Sequence, residues 1–101
     1  MSNPVRGEAT IHIEGRAVLL RPTFDALVQA EEELGGLLAL VERAGDGQLK
    51  LTEIAALFWH CATPRNAVSR EAIGDAVLGM GLAQATKPLR TLLSEILRGS
   101  G

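Results

Sequence analysis

The sequence predicts a mainly α protein of the α+β class, in which an N-terminal β-hairpin precedes four to five short helices packed as a small bundle. Three observations predict it. Residues 8–14 alternate apolar and polar side chains with the period of a half-buried strand and close on a Glu-Gly turn signal. Beyond residue 23, apolar side chains recur at helical spacing in short runs that open on Thr or Ser or close on Gly. The 101 residues are 47% hydrophobic, drawn largely from sixteen Leu and fourteen Ala, with Phe24, Phe58 and Trp59 as the whole aromatic complement. Such a composition suits short aliphatic helices in one domain over residues 1–101, and it excludes a disordered chain, a two-domain enzyme and a disulfide scaffold.

Residues 1–7 are polar, carry Pro4 and Gly7, and read as a flexible N-terminus without the apolar stretch of a signal peptide. Residues 8–21 form the hairpin. Ala9, Ile11 and Ile13 point to one side and Glu8, Thr10, His12 and Glu14 to the other. Gly15 supplies a positive φ in the turn, and Arg16–Arg21, with Val18, Leu19 and Leu20, returns as the second strand. The helical part covers residues 23–98. Thr23 caps a first helix along which Phe24, Leu27, Val28 and Leu34 recur, with Gly35-Gly36 as its stop. Leu37–Arg43 is a short apolar helix closed by Gly45-Asp46-Gly47. Thr52 is read as the next cap, before Ile54, Leu57, Phe58 and Cys61 at i, i+3, i+4 and i+7, and Pro64 ends that helix near Thr63. Ser69 caps a fourth helix with Ile73, Ala76, Val77 and Met80 on one face. The last helix carries Leu89, Leu92, Leu93, Ile96 and Leu97. It begins with Thr86 as cap and Pro88 in the first turn, or else runs from Leu82 through Pro88. Residues 99–101 are read as a flexible C-terminus.

Charge narrows the function. Ten Lys and Arg against twelve Asp and Glu give −2, divided as −3 over residues 1–50 and +1 over residues 51–101. Neither half has the clustered positive face that a phosphate backbone demands, so nucleic acid is not expected as a partner. No run reaches the 18 or so apolar residues of a membrane helix, and no membrane partner is expected. The single Cys61 cannot pair within the chain, which points to synthesis in the cytoplasm.

No pattern of catalytic chemistry stands out. His60 and Cys61 are adjacent, so on a helix they diverge by about 100° and cannot share an ion. Cys61 falls on an apolar face, where a thiol behaves as a small hydrophobe. Ser69 and Ser94 lack a Gly-rich elbow, and the glycines from Gly74 to Gly81 have no Lys beside them to hold a phosphate. The chain is therefore read as non-enzymatic, with no cofactor and no metal.

Two residues are candidates for contact with a partner on their own pattern. Glu31 shares a helix line with Leu27 and Leu34, at the margin of the apolar stripe, while Glu32 and Glu33 face water. It is either solvated or matched by Arg21, Arg43 or the amides at a helix start. Trp59 lies off the Ile54–Cys61 stripe and is either the edge of a broad core or an exposed anchor for a partner. The groove between the hairpin and the last helix is the favoured partner face, with Leu93 and Leu97 expected to be only partly covered there.

The order of these elements resembles the gene-transfer-agent family of small phage tail proteins, described as tail tube proteins or tail assembly chaperones. The residues that carry it are Gly7-Glu8-Ala9, Glu14-Gly15-Arg16, Leu20-Arg21-Pro22-Thr23-Phe24-Asp25-Ala26-Leu27 and Ala30-Glu31-Glu32-Glu33-Leu34-Gly35. The segments Leu37–Arg43 and Leu51–Leu57 and the Leu-rich last helix also fit. Cys61-Ala62-Thr63-Pro64 and Trp59-His60 depart from the family pattern. The resemblance implies a bacterial cytoplasmic protein of a prophage or gene-transfer-agent tail cluster, with a tape-measure or other tail protein as partner. Its implied role is that of a tail assembly chaperone, with a structural subunit of the tail tube as the alternative; an unrelated helical adaptor is the reading outside the family. The oligomeric state stays open.

Overall fold

A computed structural model describes residues 8–63 and 68–98. The terminal segments read as flexible, and Pro64 with residues 65–67, lie outside that range.

Strand β1 (Ala9–Ile13) and strand β2 (Arg16–Leu20) pair antiparallel, with Ile13 opposite Arg16 and Ala9 opposite Leu20. Glu14 (φ +51°) and Gly15 (φ +80°) both take the left-handed conformation. Positive φ at both central residues makes a type I′ turn, whose twist matches that of the strands it joins. Ala9, Ile11 and Ile13 are buried as their alternation predicts. Glu8, expected on the outer side, is buried as well, because its carboxylate accepts from Arg21 Nε at 3.1 Å across the hairpin's open end.

Helix α1 (Phe24–Leu34) is capped by Thr23, whose hydroxyl accepts from the Ala26 amide at 3.2 Å. Its buried face differs from the expected stripe: Ala26 and Ala30 are buried, whereas Phe24 is 84% exposed. Two alanines at i and i+4 give a smooth surface on which α1 lies close to the next long helix, and the bulky Phe24 is left off that line. Helix α2 (Leu37–Gly45) buries Leu40. Helix α3 (Leu51–Cys61) starts two residues earlier than expected, with Lys50 at the cap instead of Thr52. Glu53 sets that boundary: its Oε1 accepts from the Lys50 amide at 2.9 Å and from Arg43 Nη1 at 2.8 Å, so one carboxylate closes α3 and ties it to α2.

Directly after α3, Ala62–Thr63 forms a two-residue strand, β3, antiparallel to β2 with Leu20 opposite Ala62. The sheet order is β1-β2-β3, which leaves β1 at an edge. Helix α4 (Arg70–Met80) is capped by the Ser69 hydroxyl and closed at Gly81, φ +86°. Helix α5 (Leu82–Arg98) is continuous through Pro88, the second of the two readings given by the sequence. Helices α4 and α5 pack on β1, and α3 packs on β2 and α1. The centre is aliphatic apart from Phe58, with Ile11, Leu20, Leu40, Leu57, Ile73, Val77 and Leu92 fully buried around it.

Candidate functional site

Polar side chains converge where α1, α3 and α4 meet. Glu33, on the last turn of α1, accepts from both terminal nitrogens of Arg70 at 2.6 Å and from His60 Nε2 at 2.9 Å. A carboxylate only accepts, so the bond to Glu33 puts the proton of a neutral His60 on Nε2. Nδ1 of His60 is buried without a partner. The Arg70 guanidinium lies 4.4 Å from the centre of the Trp59 ring, and His60 meets that ring edge-on. Trp59 is half-buried and donates from Nε1 to the Val68 carbonyl at 3.2 Å. Glu33 is exposed, as expected, but it is paired as well: the helix turn also sets its carboxylate against His60, and Arg70 arrives from the start of α4.

The electrostatics suit a tie between elements. The Arg70 guanidinium, and next the His60 ring, hold the Glu33 carboxyl down at about 2, so at neutral pH it is a permanent anion with no proton to exchange. Burial pushes the Cys61 thiol up to about 12, which leaves it protonated and unreactive. Among the described residues no three His, Cys, Asp or Glu gather as metal ligands would.

The residues singled out from sequence lie apart from one another. Glu31 is exposed, and its Oε2 accepts from the Leu37 amide at 3.1 Å, so it serves the start of α2 from the end of α1. Of the partners considered for it, the amide at a helix start is the one present. Trp59 stands at the junction just described. Leu93 is 7% exposed and belongs to the core, whereas Leu97, one turn further on, is 60% exposed. Leu93 therefore departs from the expectation of partial cover, because α5 turns it under the bundle. Sequence reasoning missed Glu33, His60 and Arg70; the pair Glu33–Arg70 is separated by 37 positions and leaves no local pattern.

Two kinds of surface remain open to a partner. Phe24, Leu38, Leu78, Leu82 and Leu97 are large apolar side chains left in water. A groove of about 610 Å³ also lies between β1 and the corner where α4 meets α5. This is the expected groove between hairpin and last helix, but its walls are formed by residues such as Met80, Gln84 and Lys87, and neither Leu93 nor Leu97 lines it.

A short hairpin carrying five helices, with its polar side chains spent on ties between elements, defines a small α+β protein whose open features are surfaces. The family model described as phage tail tube protein, GTA-gp10, matches residues 6–99, and the chain belongs to that family. Its setting is thus a phage or gene-transfer-agent tail, where proteins meet proteins. Comparison with the curated proteins and with the solved structures gives no match. Among the described residues no helix is long and apolar enough to cross a membrane.

Proposed function

We propose that the protein is a non-enzymatic tail assembly chaperone, which shields the tape-measure protein in the bacterial cytoplasm until tube subunits polymerise around it. The observation that carries this reading is the size of the sheet. Two five-residue strands and one of two residues give little edge from which to build a ring, while helices with apolar side chains left in water suit the cover of apolar stripes on a long helical partner. Leu97, Trp59 and Glu31 are the contacts assigned to the partner, with Leu93 supporting Leu97 from beneath. Co-expression with the tape-measure protein tests the role. The expected outcome is a soluble tape measure and a complex that survives gel filtration; a tape measure whose solubility is indifferent to this chain would overturn it.

The description of the matched family favours a second reading, a structural subunit of the tail tube. Mass spectrometry of purified particles separates the two. A tube subunit is abundant in the finished tail, whereas a chaperone is lost before the tail is complete.

A further inference from the structure

The groove beside β1 contains main-chain groups that lack partners among the described residues. In a two-residue hairpin the pair next to the turn, Ile13 and Arg16, exchanges both hydrogen bonds, and so do Ile11 with Val18 and Ala9 with Leu20. Thr10 and His12 fall between these pairs, so their N–H and C=O groups point away from β2. They point off the sheet, because β1 is its edge, and both residues line the groove. The opposite wall includes Met80 of α4 and Gln84, Lys87 and Pro88 of α5. Pro88 has no N–H, so the Gln84 carbonyl lacks the donor that a helix supplies four residues on. Lys87 is the one side chain of fixed charge among the described lining residues, and no carboxylate opposes it, although the chain as a whole carries −2.

We propose that this groove seats an extended, acidic segment of a partner protein, which adds to β1 as a further strand at Thr10 and His12 and sets a carboxylate against Lys87. An extended backbone is what the edge selects, since a helix has already spent its N–H and C=O groups internally. The helical wall bounds a groove of about 610 Å³, and a second copy of this chain at the same edge is an outcome that the test separates. Main-chain bonds at Thr10 and His12 supply register, and the alternate side chains that face the helical wall supply choice: a carboxylate toward Lys87 and an apolar group toward Met80. The inference rests on the reading of the chain as a protein that binds another protein, and its test makes no use of the tape measure.

The isotope-labelled full chain is titrated with a capped nonapeptide of alternating Thr and Val with Glu at its centre, and backbone amide spectra are followed. The expected result is saturable shifts centred on Thr10, His12 and Lys87, with slowed hydrogen exchange at the Thr10 and His12 amides. Lys87→Glu weakens binding about tenfold, and a peptide with Lys in place of its Glu recovers it for that variant. His12→Pro, which removes one outward N–H, abolishes binding; should it fail to fold, Lys87→Glu, at an exposed position, still decides. Shifts that are absent or centred elsewhere, or an affinity indifferent to Lys87→Glu, overturn the proposal. So does slowed exchange at Thr10 and His12 in the free chain together with a concentration-dependent doubling of mass, which assigns the edge to a second copy. Peptide binding without a tape-measure complex removes the chaperone role and keeps the groove; the converse keeps the role and removes the groove.

Discussion

Arg70 places one guanidinium on two partners, its nitrogens on the Glu33 carboxylate and its plane over the Trp59 ring. Both contacts are partly open to water, with the Arg70 side chain 46% and that of Glu33 37% exposed, so each is modest alone. An open ion pair contributes about 0.5 kcal/mol and an open cation–π contact about as much. Arg70→Ala should therefore cost about 1 kcal/mol, a fall in melting temperature of about 5 °C. It also uncovers one face of Trp59, the sole Trp, so its emission should move to the red and its quenching by acrylamide should rise. An unchanged emission spectrum would show that the stacking does not persist in solution. Glu33 gives the junction a defined response to acid. Its carboxyl titrates lower in the folded chain than in the unfolded one, so its contribution is complete above about pH 4.5 and is lost as pH falls toward about 2. Discounted for exposure, that loss is on the order of 1 kcal/mol. Urea midpoints measured at pH 5 and pH 3 should differ less in Glu33→Gln than in the parent chain.

Helix α5 is the element in which local preference and observed structure conflict most. Pro88 lies well inside it, where proline removes one hydrogen bond and crowds the preceding turn at a cost of about 3 kcal/mol relative to alanine. The helix persists because Ala85, Leu89, Leu92 and Leu93 are buried along its inner face, each large side chain contributing about 2 kcal/mol. Pro88→Ala restores a donor for the Gln84 carbonyl and should raise the urea midpoint by the equivalent of about 1 kcal/mol, part of the gain being offset by a more flexible unfolded chain. A lower midpoint would mean that the packing of α4 and β1 is adapted to proline. The same helix shows what the sequence could and could not tell. Its stripe, the strand alternation at Ala9–Ile13, and the caps Thr23 and Ser69 were legible because they are local periodicities and local hydrogen bonds. The buried face of α1 was not, since which side of a helix is covered depends on the neighbour, and alanines give a weaker signal than Phe24. Neither was β3, whose two residues are a strand only because β2 lies beside them. At α3 the bond from the Lys50 amide to Glu53 is local, but Lys50 is not a residue that ordinarily caps, and the Arg43 contact that also holds the Glu53 carboxylate joins two helices.

On the scale of the whole molecule, each element is held by neighbours distant in sequence. Helix α4 touches α3, α5 and β1; α2 touches α1 and α5; β1 and β2 are covered by helices α3, α4 and α5 from the second half of the chain. Burial is shared in the same way, with Ile11, Leu40, Phe58, Val77 and Leu92 in one apolar cluster. No group of elements could leave with its own core intact, so we propose that residues 8–98 unfold as a unit. This bears on function: a chaperone that released its hairpin to receive a partner would separate β1 from α4 and α5 and destroy the groove beside it. Trp59 reports the α3–α4 junction, and far-ultraviolet circular dichroism reports all five helices. In urea the two signals should fall at the same midpoint and with the same slope, as an all-or-none transition requires. The slope should lie near 1 kcal/mol per molar urea, roughly what a chain of this size exposes. An earlier loss of helix signal than of Trp59 signal would mean that α2 or α5 detaches while the junction of α1, α3 and α4 stands. In that event the hairpin groove would be a transient surface, and partner binding would have to hold the fold together as well as occupy it.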